Sequence, residues 1–404
     1  MTAAGRRVAI TGLGAISAIG HDIPTIWSGI LRGNCGIAPI TAIPTERLAV
    51  KIAAEVKDFD PARHFDARRL AMLDRVSQLA LVAAREAMPG LDACNWAAER
   101  TGVVIGASLG QQTLDAAYES FHQEQAKRLH PMTVPRSMPS AAASQVSMEF
   151  GVRGPCFAIA SACASSGHAV GLAFHMVRAG MLDLAITGGS DASIQVGFLK
   201  AWESLRVLSP DACRPFSMDR SGLVIGEGAA VLLLEPLDSA RARGAVIHAE
   251  VVGFGMSADA ADLTAPRAAG AAQAMRAALD DAGLPAESVD YVNAHGTGTR
   301  LNDKTEVEAL GMVFGDHLAR MPVTSSKSMF GHCLNAGGAL ELAVTALALR
   351  EGVLPPTVGY RAADPDCAID CVPNQSRPAV LNVAMSNSFA FGGLNATLVL
   401  ARAA

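Results

Sequence analysis

The stretch Gly154-Pro-Cys-Phe-Ala-Ile-Ala-Ser-Ala-Cys163-Ala-Ser-Ser-Gly-His-Ala-Val-Gly171 decides how the rest of the chain is read. Residues 156–160 form a short apolar run of strand character, and residues 164–178 a small-residue run of helical character. Cys163 falls on the tight turn between them, at a helix N-terminus. Unpaired backbone N–H groups and the positive end of the helix dipole favour thiolate over thiol there. A thiolate so placed is an activated nucleophile with amide donors beside it. Free cysteine among small residues is more often plain core packing, so the turn acquires chemical meaning only through motifs elsewhere.

Outward from this turn, short apolar runs alternate with longer helical patterns. One set of strand-like runs covers 7–12, 102–107, 156–160, 182–187 and 230–235. A second covers 247–255, 289–293, 321–324, 381–386 and 395–401. Helical spacing appears over 75–87, 144–150, 164–178, 268–282, 303–314 and 338–350. The alternation predicts an α/β class. Both sets open and close in the same way, which points to a duplication with its joint near 237–246. The expected halves are 1–245, carrying the cysteine, and 246–404. No low-complexity linker separates them, so they should share one core.

Composition narrows the function. The 404 residues are 50% hydrophobic and 18% charged, enough to bury a large core. A net charge of −5 leaves no electrostatic footprint for nucleic acid. The cysteines at 35, 94, 156, 163, 213, 333, 367 and 371 include no CxxC pair. That argues against a zinc site or a disulfide framework and for reduced cytoplasmic thiols. Arg6-Arg7 followed by Val8-Ala-Ile-Thr-Gly-Leu-Gly imitates a signal peptide, but two glycines and a threonine break its apolar run. It reads as a first strand. No apolar run reaches the roughly 18–20 residues of a membrane span.

Three downstream motifs carry chemistry. Val292-Asn-Ala-His295-Gly-Thr-Gly-Thr299 follows a predicted strand and aims an imidazole from a loop. Ser325-Ser-Lys327-Ser-Met-Phe-Gly-His332 places a lysine five residues before a second histidine. Glu341, in the apolar helix that follows, is a charge in need of a partner, and Lys327 is the candidate. Ser386-Asn-Ser-Phe-Ala-Phe391-Gly-Gly-Leu-Asn395 lies between two strands, and its glycines can bring backbone N–H groups close to a ligand.

Together with Val8-Ala-Ile-Thr-Gly-Leu-Gly, Met138-Pro-Ser-Ala-Ala-Ala, Arg214-Pro-Phe-Ser and Gly226-Glu-Gly-Ala, these motifs resemble the condensing enzymes of the thiolase superfamily. The nearest type is β-ketoacyl-acyl-carrier-protein synthase II, over nearly the whole chain. The resemblance implies a thiolase-like duplicated α/β/α/β/α five-layer sandwich and a Cys-His-His site of Cys163, His295 and His332. It implies Lys327 in the network that orients His332, with Glu341 as counter-charge. Cys163 and Phe391 would supply oxyanion N–H groups, with Phe391 as a gate. Thr297 and Thr299 would bind a pantetheine arm, and Leu109 and Phe198 would line the acyl pocket. The implied partners are acyl carrier protein and a second subunit, identical or a chain-length-factor-like paralogue, with no metal or other cofactor. Arg68, Arg69, Lys127 and Arg128 are the basic residues where carrier protein would dock.

Departures accompany the resemblance. Ala390 and Leu394 stand where such loops carry glycine and threonine, and Ala390 limits positive φ beside Phe391. Lys200-Ala-Trp-Glu, Asp211-Ala-Cys-Arg-Pro-Phe-Ser and the Met138 stretch resemble the nodulation-type and type II polyketide or polyene branch. A non-catalytic chain-length subunit is the alternative, but such subunits replace the nucleophile, and Cys163 is present. A cysteine hydrolase is a third reading, less suited to two histidines and a buried lysine.

Overall fold

The computed structural model describes residues 5–88 and 96–403; Cys94 lies outside them. Its main sheet has ten strands. They are β1 (Val8–Ser17), β2 (Thr101–Ala107), β3 (Cys156–Ile159), β4 (Leu184–Asp191), β5 (Gly228–Pro236), β6 (Ala249–Ala258), β7 (Tyr291–Asn293), β8 (Val323–Thr324), β9 (Val383–Ala390) and β10 (Leu394–Ala401). Every strand-like run in the sequence falls on one of them.

The spatial order is β8-β7-β9-β10-β6-β1-β5-β4-β2-β3. Read outward from the middle, β1-β5-β4-β2-β3 and β6-β10-β9-β7-β8 are the same path taken twice. Strand directions repeat too. β2 runs parallel to β3 and β4, as β7 does to β8 and β9. The pairs β4–β5 and β9–β10 are antiparallel. Among the described residues three pairs join the half-sheets: Val8–Val251, Ala9–Glu250 and Ile10–Ala249.

The helices that matter for the site are α1 (Arg75–Ala87), α2 (Ala141–Phe150), α3 (Ser165–Arg178), α4 (Val196–Ser204), α5 (Ala268–Ala282), α6 (Arg300–Phe314) and α7 (Gly337–Glu351). Helices α1 and α2 cover the outer face of the first half-sheet, and α5, with α6 packed against it, covers the outer face of the second. Helices α3 and α7 touch strands of both halves and each other. The result is a five-layer α/β/α/β/α sandwich. Its middle layer explains α7: residues 337–349 are all buried, so the helix shows no polar face and can hold a charge only with a partner.

Strand β1 runs five residues beyond its expected end at residue 12. Gly12 and Gly14, which look like breakers, serve close packing instead. A Cβ on Gly12 would lie 2.3 Å from the Ala87 carbonyl oxygen, and one on Gly14 2.0 Å from that of Ala83. Bare backbone lets α1 lie directly on the strand.

Candidate active site

Cys163, His295 and His332 meet at the bottom of one cleft. The cysteine reaches it from the turn between β3 and α3, where Ala162 has φ +48°. His332 comes from the loop between β8 and α7, and its Nε2 stands 3.0 Å from Cys163 Sγ. His295 follows β7. Its ring centre lies 5.3 Å from that of His332, with the planes at 82°. Both imidazoles thus face the thiol region edge to face.

Glu306 on α6 holds the His295 loop. Its two carboxylate oxygens accept the N–H groups of His295 and Gly296, each at 2.8 Å. Asp303, one turn earlier, accepts from Gly298 N–H at 3.1 Å and from Phe216 N–H at 2.9 Å. Sequence reasoning missed both acids. The available signal is two carboxylates three apart on the helix after the histidine loop, on the same face as the apolar Ala309, Leu310 and Phe314.

Lys327 is buried and ion-paired with Glu341, as the sequence proposed. Its imidazole neighbour differs from the expected one. The ammonium lies 3.4 Å from His295 Nδ1 rather than against His332, because the turn Lys327–Phe330 points Nζ toward β7. Accepting from Lys327 at Nδ1 leaves the His295 proton on Nε2. Burial, then the nearby Lys327 cation, holds both histidines well below the usual imidazole range, so both are neutral. Burial pushes Glu341 up to about 7 against the pull of Lys327.

The cysteine corrects an expectation. Burial pushes the Cys163 thiol up to about 12, and the opposing pull of Lys327 is smaller. A helix N-terminus alone does not make a resting thiolate here, because the side chain is only 8% exposed and the anion loses its water. The resting pair is a thiol donating to a neutral imidazole.

The cleft, of about 110 Å³, is mostly apolar. Trp202, Val207, Leu223, Leu263, Phe389 and Phe391 are among the residues that line it. Thr297 and Thr299 line it, their hydroxyls 2.9 Å apart. Leu109 and Phe198 do not. Leu109 is 46% exposed, and Phe198 sits behind Trp202, ring centres 6.1 Å apart. Their place on the wall is taken by Trp202, which stacks on Phe391 at 5.6 Å and 23°. In the Phe391 loop, Gly392 (φ +82°) and Gly393 (φ +66°) make the turn, and Ala390 stays in β9 opposite Leu394. Ala390 therefore meets no positive φ. The N–H groups of Cys163 and Phe391 donate to no other backbone group among the described residues.

Of the basic residues, Arg68, Lys127 and Arg128 are exposed, whereas Arg69 pairs with Glu149 at 3.2 Å. Among the described residues no group of His, Cys, Asp and Glu could hold a metal ion, and no helix is long and apolar enough to cross a membrane.

Such a cysteine and two neutral histidines, in a duplicated α/β sandwich, define a condensing acyltransferase, and comparison with known proteins agrees. The models of the beta-ketoacyl synthase N-terminal and C-terminal domains match residues 5–240 and 248–361. The chain belongs to the β-ketoacyl synthase family. It is 48% identical to nodulation protein E of Rhizobium sp. (strain N33), over 97% of this chain and 98% of that one. It is 42% identical to 3-oxoacyl-[acyl-carrier-protein] synthase 2 of Staphylococcus aureus (strain N315), over 98% of each. Among solved structures it superposes on the ishigamide ketosynthase/chain length factor with TM-score 0.93 and 37% identity, covering 99% of this chain and 100% of that one.

Proposed function

We propose that the enzyme extends an acyl chain held on Cys163 by decarboxylative condensation with malonyl-acyl carrier protein. The observation that carries the roles is the 3.0 Å contact of Cys163 Sγ with His332 Nε2, beside neutral His295, under an apolar cleft. In the first half-reaction the Cys163 sulfur attacks the thioester carbonyl of the carrier-bound acyl group. Its proton passes to His332 Nε2 and on to the departing pantetheine sulfur. The N–H groups of Cys163 and Phe391 receive the oxyanion.

In the second half-reaction malonyl thioester loses CO₂, and the breaking C–C bond leaves its electron pair as an enolate. The enolate carbon attacks the acyl–Cys163 carbonyl, a C–C bond forms, the C–S bond breaks, and the departing Cys163 thiolate takes one proton from solvent, by way of His332. His295 Nε2–H points at the enolate oxygen. With the thiol proton gone, an Nε2–H tautomer of His332 adds a second donor. Lys327 keeps both rings neutral and is itself compensated by Glu341. Thr297 and Thr299 guide the pantetheine arm, and the acyl chain lies along the apolar wall that includes the stacked Trp202–Phe391 pair. The scheme uses no metal or other cofactor.

Partner and pathway follow the likenesses. The synthase 2 relative is named for acyl carrier protein, and the ishigamide structure pairs a ketosynthase with a chain length factor. Exposed Tyr118, Phe121, Val134 and Met148 in the first half support a second subunit, identical or paralogous. The nodulation-type likeness favours a specialised chain over bulk lipid, made in the cytoplasm. Intact-mass analysis of Cys163 after offering carrier-bound acyl chains of graded length and unsaturation tests this. An acyl adduct with stoichiometric CO₂ release supports it; thioester hydrolysis without CO₂ release sinks it. The non-catalytic reading is disfavoured because nucleophile and both histidines converge.

A further inference from the structure

The turn that carries Cys163 is held from outside itself. Ala162 has a Cβ and still sits at φ +48°. An ordinary residue persists there only when its surroundings over-determine it. The nearest support is the Ser165 hydroxyl, which accepts the Ser161 N–H at 2.8 Å and lies 2.7 Å from the Ala162 carbonyl. The same hydroxyl lies 2.7 Å from Asn335 Oδ1. It has one proton for these two acceptors, so Asn335 acts directly on the bond that shapes the turn.

Asn335 is anchored in turn. Its Nδ2 donates to Asp191 Oδ2 at 2.6 Å, and its backbone N–H approaches the same oxygen at 3.4 Å. Asp191 ends β4 and is fully buried, as is Ser165. Asn335 stands three residues beyond His332, with Leu334 between them at φ +45°. One short, conformationally constrained segment therefore presents the imidazole to the thiol and grips the turn that presents the thiol. The neighbouring residues repeat the link: Ala339 N–H donates to Ser166 Oγ at 2.9 Å.

We propose that Asn335 is a positioning residue for the Cys163–His332 pair. By joining Ser165 to Asp191 it ties the nucleophile's turn to the imidazole's loop and sets the approach of sulfur to Nε2. The proposal rests on Cys163 being the nucleophile. Reacting groups displaced by about 1 Å lose up to about 100-fold in rate, so the effect should appear in the rate of sulfur attack and not in carrier binding.

The test uses the full chain. Peptide mass analysis follows acyl transfer from carrier-bound substrate to Cys163, and separately alkylation of Cys163 by iodoacetamide. Asn335→Ala should slow both by about tenfold or more, with KM for the carrier substrate within about twofold. Ser165→Ala should act in the same direction, and the double variant should be no slower than the slower single one. Asp191→Asn keeps an oxygen to accept from Asn335 and should stay within about threefold of the unmodified enzyme. Unchanged rates in Asn335→Ala overturn the proposal, as do multiplying losses in the double variant or a loss in Asp191→Asn equal to that in Asn335→Ala. If Asn335→Ala does not fold, Ser165→Ala against Asp191→Asn decides alone. An unmodified enzyme that takes no acyl group on Cys163 would refute the nucleophile itself, a result distinct from any effect of Asn335.

Discussion

β3 and β8 occupy the same place in their half-sheets, and each leads into a central helix. The first connection, residues 160–164, is a strained turn that offers a sulfur. The second, residues 325–336, is longer and offers a buried cation and an imidazole. The N-terminal turns of the two helices touch, through the Ser166–Ala339 bond among others. A duplicated frame thus sets complementary groups face to face. Chain length in one connection decides which chemistry each half supplies: five residues leave room for a turn alone, whereas twelve can bury Lys327 against Glu341 and still return His332 to the thiol.

The contrast breaks most sharply at Cys163. Cys163→Ala should abolish acyl transfer while circular dichroism and Tm stay near those of the parent, because only a sulfur is lost; retained condensation would end the assignment. Next come the imidazoles. His295→Ala and His332→Ala should each cost about 2.7–4 kcal/mol in the decarboxylation barrier, the measured worth of one donor to a developing oxyanion. His295→Ala should still accept an acyl group on Cys163, whereas His332→Ala, which removes the proton acceptor at 3.0 Å, should be slower in that step too. Normal CO₂ release from both variants would remove them from the mechanism.

Stability separates the connections further. Lys327→Ala leaves Glu341 buried without its partner and should cost about 3–5 kcal/mol in denaturant unfolding, as breaking a buried pair does. A loss under 1 kcal/mol would mean that Glu341 simply takes up a proton at no cost.

The resting thiol makes a pH prediction. With Cys163 pushed up to about 12, its alkylation rate should keep rising through pH 9 and 10, since each step in pH exposes more thiolate. A plateau near pH 7 would show that the helix terminus outweighs burial. The smallest expected effect lies at the surface. Charge reversal of Lys127 and Arg128 should raise KM for carrier-bound substrate a few-fold and weaken its salt dependence. A small acyl-thioester mimic should react unchanged; equal losses on both substrates would point to misfolding.

Much of this was readable before any coordinates. The ten strands, the helices that flank them and the four chemical motifs follow from apolar spacing and from loops of unusual composition. These are local properties, encoded within about a dozen neighbouring residues. Boundaries shifted where packing overrode local preference, as at β1, whose glycines looked like breaks and proved to be contacts. Glu306 and Asn335 escaped notice because nothing near them in sequence tells what they grip. Trp202 lies in the Lys200-Ala-Trp-Glu stretch, and nothing near it in sequence tells that it stacks on Phe391.

The sequence by itself determined the α/β alternation, its doubling, and which side chains could act: a cysteine at a turn, two loop histidines, a buried lysine with a glutamate. Only the tertiary structure decided how they act. It set Lys327 against His295 rather than His332, kept Cys163 a thiol, and put Trp202 rather than Leu109 on the cleft wall. The physical reason is range. Cys163 and His332 lie 169 residues apart in the chain, and their charge states depend on how much water the whole fold removes around them. Local pattern specifies elements; burial and partners belong to the way the elements close on one another.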